Sequence, residues 1–397
     1  MAASTVFIVG AGPVGLASAL LLADAGIPVH VLERSPEQPR DMRASTFHPP
    51  TLDMLTRLGV TEELVGAGLV AAHTQQWDRQ EGLIADFDLS LLAGETRHPF
   101  RLQCEQWKLT DMLAQRLSGH PLATISLGTE VTDVDQDEDG VTLRGRCGGE
   151  TVSHRGSYVV GADGAWSTVR QSAGIAFEGY TYPERFLFIS TDFEYAERFT
   201  GISYVNYFSD PDEWCVLLRV PSMWRVLFPV ATDIDDKALL ADDSIESHLQ
   251  RLATRPAPYR TIHRTIYRVH QRVAARFRHG RILLAGDAAH INNPLGGMGM
   301  NGGLHDAFNL SDKLIEVLRG GDPALLDRYE RQRRSIAIEY INAGTAQNKK
   351  HLEERDPAAR RQHLDQLRRT AADPGLARTY LRQSSMLDAL RQAAEIH

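Results

Sequence analysis

Residues 5–15 read Thr5-Val6-Phe7-Ile8-Val9-Gly10-Ala11-Gly12-Pro13-Val14-Gly15. The first five are β-branched, apolar or aromatic, the composition of a buried parallel strand. The strand stops at a literal GxGxxG. A helical stretch follows from Leu16 to Ala25, and a second apolar strand, Val29-His30-Val31-Leu32, ends at Glu33. Each glycine has its own task. Gly10 permits the tight turn, Gly12 lets the backbone approach a diphosphate with no Cβ in the way, and Gly15 allows helix to pack closely on strand. The helix N-terminus adds free N–H groups and partial positive charge for that diphosphate. Glu33 accepts hydrogen bonds from ribose hydroxyls, and a carboxylate there disfavours a 2′-phosphate, so the nucleotide is FAD or NAD rather than NADP. The plain alternative is a turn that merely needs glycine.

Two further stretches have the same strand-to-turn character. One is Tyr158-Val159-Val160-Gly161-Ala162-Asp163-Gly164-Ala165-Trp166-Ser167-Thr168-Val169-Arg170. The other is Arg281-Ile282-Leu283-Leu284-Ala285-Gly286-Asp287-Ala288-Ala289-His290, continued by Asn293-Pro294-Leu295-Gly296-Gly297-Met298-Gly299-Met300-Asn301-Gly302. Together with the first motif, in this order, they resemble the class A flavoprotein monooxygenases, the family of para-hydroxybenzoate hydroxylase. The three fingerprints span most of the chain.

That resemblance implies bound FAD and a set of residues around it. Glu33 matches the ribose-binding acid, Val14 the main-chain diphosphate contact, and Arg43 an arginine beside the diphosphate, for which a fixed five-donor cation is suited. Gln106 matches a flavin-contacting glutamine at a helix start. Asp287 matches the acid that accepts a ribityl hydroxyl. Asp163 is implicated in both FAD and nicotinamide-nucleotide handling, with a helix-capping role as the alternative. The second glycine-rich run is not a second nucleotide motif, because a polar, proline-containing loop precedes it and no acid-terminated strand follows. It reads as a backbone nest leading into a helix from Leu304 to Leu318. By resemblance Gly299, Met300 and Asn301 lie against the flavin, with the main-chain N–H groups of the last two facing its pyrimidine oxygen. Pro294 matches the position whose carbonyl lies near the reacting ring, and His290 is a candidate proton-relay group or a structural histidine.

Between the second and third motifs the chain reads as strands joined by turns such as Asp210-Pro211-Asp212 and Pro221-Ser222-Met223. This predicts an antiparallel sheet that covers the substrate, with Tyr204, Asn206, Leu218, Trp224 and Val226 as pocket residues. Arg219 sits where some relatives bind a carboxylate; a solvated arginine on the opposite face is the preferred reading.

Composition sets the outer bounds. The chain has 397 residues, 43% of them hydrophobic and 24% charged, which is ordinary globular composition. Its formal charge of −8 argues against nonspecific nucleic-acid binding. Cys104, Cys147 and Cys215 are widely spaced and odd in number, so neither a disulfide framework nor a metal site is expected, and a cytoplasmic setting is. The N-terminus carries no basic leader, and no segment is apolar enough to span a bilayer, so no membrane partner is expected.

The expected fold is α/β: a Rossmann-like FAD domain (1–73, 100–178, 281–322), an inserted, mostly antiparallel β-sheet substrate domain (74–99, 179–280) and a helical C-terminal region (323–397). The tail alternates in charge, which predicts a solvated helical face. The expected activity is hydroxylation of a small aromatic substrate, phenolic or N-heteroaromatic, by a single-component enzyme using NADH or NADPH and O2 through a flavin hydroperoxide. A homodimer is common among such enzymes. The rival readings are a quinone-precursor hydroxylase at a membrane surface and a flavin-binding protein without turnover. A halogenase is disfavoured: Lys108 is the only lysine before position 200 and no WxWxIP segment occurs.

Overall fold

The computed structural model describes residues 5–38, 40 and 44–397. The opening stretch forms strand Val6–Val9, helix Pro13–Asp24 and strand Val29–Leu32. Pro13 at the first helical position has no N–H to lose there. The helix is buried on nearly every face, because it lies between the sheet and the long helix Met298–Leu318. The central sheet has six strands. Val6–Val9 pairs in parallel with Val29–Leu32 on one side and Tyr158–Gly161 on the other; Ala123–Ser126 and Ile282–Leu284 extend it outward, and Arg278–His279 closes one edge antiparallel. All three motifs therefore end at the same sheet edge, the carboxyl ends of adjacent parallel strands, where α/β folds bind ligands.

The second large sheet has eight strands, and all its pairings are antiparallel except that of Val205–Ser209 with His73–Asp78. Its centre is strand Phe177–Thr191 between Thr261–Ala274 and Met223–Val230. Cys215–Val220 and Met223–Val230 form a hairpin with a two-residue turn, Pro221-Ser222, so Val220 faces Met223, Leu218 faces Arg225 and Val216 faces Leu227. A small three-stranded sheet, Thr46–Phe47, Arg101–Gln103 and Leu69–Ala71, lies between the nucleotide core and the C-terminal helices.

The helix expected from Leu304 begins at Met298, so the glycine-rich run is the helix's first turns rather than a loop. The reason is close packing. A Cβ at Gly303 would lie 2.7 Å from Val14 Cγ2 and 3.0 Å from Gly286 Cα, so the helix seats directly on the first motif. Gly296 and Gly297, at φ 110° and 66°, take the positive φ that turns the chain into it.

The C-terminal region is helical, as its charge pattern predicts, but its face is not wholly solvated. Arg333 is completely buried, and its Nε donates to Asp306 Oδ1 at 2.6 Å. Arg360 pairs with the buried Asp78. Six residues, Ala337–Asn342, form a widened π-helical turn, and Gln271 of the large sheet donates to the Asn342 carbonyl at 2.8 Å. Among the described residues no helix is long and apolar enough to cross a membrane.

One cluster on the large sheet sets an acid limit on stability. Burial alone would raise the Glu213 carboxyl, but hydrogen bonds from Arg251, His248 and Arg79 outweigh it and hold the pKa at about 2. A depressed folded-state pKa adds stability that is complete above the unfolded value and is lost as pH falls toward the folded one. Glu213→Gln is therefore expected to cost about 2–3 kcal/mol at pH 7 and less as pH falls from about 5 to 2. Urea unfolding at three pH values checks this; a pH-independent cost would count against it.

Candidate active site

The nucleotide end of the site follows from the first motif. Gly10 takes φ 106°, and a Cβ there would lie 2.4 Å from the Ala162 carbonyl oxygen, so the first two motifs touch through it. A Cβ at Gly15 would meet the Gly10 carbonyl oxygen at 2.0 Å, which is the close helix-on-strand approach. Gly12 differs: it caps the helix at φ −76°, and nothing lies within 4 Å of where its Cβ would be. The Glu33 carboxylate is held at the strand end by the Ala11 N–H on Oε2 and the Ser35 N–H on Oε1, both at 2.8 Å. Each oxygen keeps a lone pair for a further donor.

Gly10, Gly12, Val14 and Glu33 line one end of a cavity of about 660 Å³. Gln106, the first residue of helix Gln106–Ser118, Asp163 and Asp287 line it as well, together with Gly299 and Met300. Asp163 also takes part in the capping that the sequence left open, beside Ser167, the N-cap of helix Thr168–Ser172. Its Oδ2 accepts the Val169 N–H at 3.1 Å, while Oδ1 is shielded with no donor, and burial pushes the carboxyl up. Pro294 lines it too, and its carbonyl accepts the Gly297 N–H. Arg43 lies outside the described residues.

Several sequence expectations need correction. His290 does not line the cavity. It is 2% exposed, stacks on Phe277 and bonds to Asp306 Oδ2 through Nε2 at 2.7 Å, which gives it a structural place rather than a proton path. Asn301 is fully buried behind the helix start. Its side-chain amide donates to the carbonyls of Thr46 and Gly297, and its oxygen accepts the His48 N–H. As the fourth helical residue its own N–H falls over the Gly297 carbonyl, whereas that of Met300 is among those the helix leaves unpaired.

On the sheet side, of the residues expected in the pocket only Leu218 lines it. Trp224 and Arg219 face each other across the hairpin on the outer side. The Trp224 Nε1–H donates to Glu194, and Arg219 Nη1 to the Val220 carbonyl. Val226 shares the outer face with Trp224, and Asn206 pairs with Leu217 there, accepting from Trp77 and donating to the Ser203 carbonyl. Tyr204 precedes its strand and is 37% exposed. The cavity wall is instead Val216, Leu218, Arg225, Leu227 and Phe188. The signal was in the sequence. A two-residue turn at Pro221-Ser222 sets Leu218 opposite Arg225, and residues opposite one another share a face. Leu218 and Trp224 therefore cannot line the same pocket.

A long cleft with a glycine-opened helix N-terminus at one end, a ribose-ready carboxylate beside it and an unpaired carboxylate oxygen midway fits a dinucleotide of FAD's length and polarity. The same cleft is walled by the apolar and aromatic Phe188, Val216, Leu218 and Leu227 together with one cation, Arg225, a space for an organic ring.

The chain belongs to the FAD-dependent aromatic monooxygenases: residues 3–343 match the family described as FAD binding domain. It is 35% identical over 396 residues to para-nitrophenol 4-monooxygenase of Pseudomonas sp. (strain WBC-3), covering 97% of this chain and 96% of that one. It is 33% identical to 6-hydroxy-3-succinoylpyridine 3-monooxygenase of Pseudomonas putida (strain DSM 28022 / S16), over 89% of this chain and 90% of that one. The crystal structure of p-nitrophenol 4-monooxygenase from Pseudomonas putida DLL-E4 superposes with a TM-score of 0.92 at 32% identity, covering 98% of each chain. The enzyme uses FAD, with reduced nicotinamide and O2 as co-substrates.

Proposed function

We propose that this enzyme hydroxylates a small phenolic or N-heteroaromatic ring as a single-component NAD(P)H-dependent monooxygenase. The observation that carries the reading is one continuous cavity, running from the Gly12–Glu33 nucleotide end to the wall of Phe188, Leu218 and Leu227. Relatives named for p-nitrophenol and for a hydroxypyridine support both ring classes.

FAD, held there, would supply the redox chemistry of the reaction, hydride acceptance from the nicotinamide and activation of O2. The protein's part is placement. Glu33, Gly12 and Val14 hold the nucleotide end, and Gln106, Asp163 and Asp287 hold the middle. The N-terminus of helix Met298–Leu318 presents the Met300 N–H and a partial positive charge toward the cavity, which favours negative charge there. The apolar residues of the wall, Phe188, Val216, Leu218 and Leu227, exclude water from the ring site, which Arg225 and Pro294 also line.

We further propose the three-part division 1–73, 100–178 and 281–322 for the FAD domain, with the sheet between as the substrate domain. A cytoplasmic homodimer with no nucleic-acid partner completes the reading.

The test is NAD(P)H-dependent incorporation of labelled oxygen by the flavin-loaded protein across phenols, hydroxybenzoates and hydroxypyridines, with peroxide measured alongside. One ring class giving hydroxylated product with little peroxide supports the reading. Slow peroxide alone with every ring counts against it.

A further inference from the structure

The loop that leads into helix Met298–Leu318 is held from behind, carbonyl by carbonyl. That of Pro294 accepts the Gly297 N–H at 3.1 Å. Each of the next three takes a side-chain donor, and the donors come from three separate helices. Asn348, in helix Ala343–Leu352, donates through Nδ2 to the Leu295 carbonyl at 3.2 Å. His48, which caps helix Pro49–Leu55, donates through Nε2 to the Gly296 carbonyl at 2.9 Å. Asn301 donates through Nδ2 to the Gly297 carbonyl at 2.6 Å. The last two donors are tied to each other, since Asn301 Oδ1 accepts the His48 N–H at 2.9 Å.

One of these peptides has little else to hold it. Gly296 and Gly297 sit at φ 110° and 66°, and with no Cβ on either side the plane between them can turn at small cost. It is clamped at both edges, its N–H on Pro294 and its C=O on His48. The fit around it is close. A Cβ at Gly296 would lie 3.0 Å from Asn348 Nδ2, and one at Gly297 would lie 3.6 Å from His48 Nε2. His48 is completely buried, and its ring makes this one bond while Nδ1 has no partner. Facing a carbonyl, Nε2 is the nitrogen that carries the proton. Burial and the Arg101 charge keep the ring neutral. An idle buried nitrogen costs stability, so the ring's single bond is the feature to explain.

What the bond holds borders the cavity. Gly297, Gly299 and Met300 line it, whereas His48, Asn301 and Asn348 stand behind them. A trans peptide carries its C=O and N–H on opposite edges. Carbonyls drawn back toward the three donors therefore leave the N–H edge of the helix start on the other side, where the first N–H groups have no partner within the helix. Reduction of FAD by two electrons and one proton adds one negative charge to it. An N–H edge favours that charge, and a carbonyl oxygen turned the same way opposes it.

We propose that His48, assisted by Asn348, is a positioning residue for the cofactor: it latches the Gly296 carbonyl on the protein side, so that the helix start offers the flavin N–H groups and the reduced, anionic form is held more tightly than it would be without the latch. The inference rests on the FAD-dependent hydroxylase reading and adds to it residues that act from behind the cavity wall.

The experiment measures the two-electron midpoint potential of the FAD-loaded full chain, by dithionite titration against a reference dye, and the dissociation constant of oxidised FAD. The potential moves only if reduced and oxidised FAD lose affinity unequally, so a merely structural loss leaves it in place. His48→Leu is expected to weaken the reduced form about tenfold more than the oxidised one, a potential about 30 mV lower. Asn348→Ala frees the neighbouring carbonyl without disturbing the buried ring, and is expected to give about threefold, or about 14 mV. An unchanged potential in a folded, flavin-bearing His48→Leu overturns the proposal, whatever happens to the oxidised form. If that variant does not fold or does not hold FAD, an unchanged potential in Asn348→Ala overturns it. Ring hydroxylation is assayed on the parent. A lowered potential in the variants of a parent that hydroxylates no ring keeps the His48 assignment and removes the hydroxylase reading; hydroxylation with no shift does the reverse. If the parent holds no FAD, both fall.

Discussion

Replacing Asp306 by asparagine is expected to lower the melting temperature of the flavin-loaded protein by about 5 °C and to loosen its hold on FAD. Asp306 is fully buried in helix Met298–Leu318. Its Oδ1 takes the Arg333 Nε–H at 2.6 Å; its Oδ2 takes the Gly286 N–H at 3.0 Å and the His290 Nε2 at 2.7 Å. Burial works against the charged form, but His290 and Arg333 outweigh it and hold the carboxyl low. Asparagine would leave the Arg333 guanidinium buried without its counter-charge, a loss of about 3–5 kcal/mol. With about 2 cal/mol/K of unfolding entropy per residue, that corresponds to a shift of about 5 °C in a chain of this length. Gly286 opens the turn that carries Asp287 into the cavity, so the same change loosens that part of the cavity wall, where we propose the flavin is held. Arg333→Met is expected to cost a similar amount, and the double variant Asp306→Leu/Arg333→Met less than the sum, because no lone charge remains. Scanning calorimetry of the four proteins, with FAD titrated into each apo form, decides it. Additive losses, or an Asp306→Asn protein within 1 °C of the parent, would show that the pair does not work as a unit.

The second large effect separates two glycines of one motif. At Gly10, φ is 106° and a Cβ would lie 2.4 Å from the backbone oxygen of Ala162. Neither atom is the end of a flexible side chain, so Gly10→Ala forces apart the first two motif strands and is expected to yield little folded protein. Gly12→Val meets nothing of the protein within 4 Å and keeps an ordinary φ of −76°. Its apo form is expected to melt within about 2 °C of the parent, the loss of a favourable N-cap being about 1 kcal/mol. Its FAD dissociation constant is expected to rise more than 100-fold, since the side chain occupies the space the diphosphate needs, worth about 3 kcal/mol or more. Flavin absorbance after purification and melting of the apo forms read the two effects separately. A yellow Gly12→Val protein, or a normally stable Gly10→Ala protein, would break the assignment.

Much of this enzyme was legible in its residue order. The parallel strands, the helix after Gly12, the acid at Glu33 and the turns at Asp163 and Asp287 follow from local chemistry: β-branched runs, glycines at defined offsets and an acid at a strand end. Local pattern also predicted the antiparallel sheet and the helical tail. Those features meet in one cavity because all three motifs end at one edge of a single parallel sheet.

What local pattern could not supply was the phase of each element against its neighbours. Period-2 alternation makes a strand's two faces equally plausible until a partner is fixed, and hairpin pairing put Arg225 and Leu227, not Trp224 and Val226, on the cavity. In the same way, alternating charge in Asp327–Ile341 reads as solvated, yet residue 333 falls over a buried carboxylate 27 positions away. His290, which its motif left open as a proton relay or a structural histidine, is that carboxylate's partner. Sequence alone therefore determined which cofactor-binding elements exist and in what order. Only tertiary structure decided which buried charges find counter-ions, as Arg333 does in Asp306, because that depends on contacts between segments far apart in the chain.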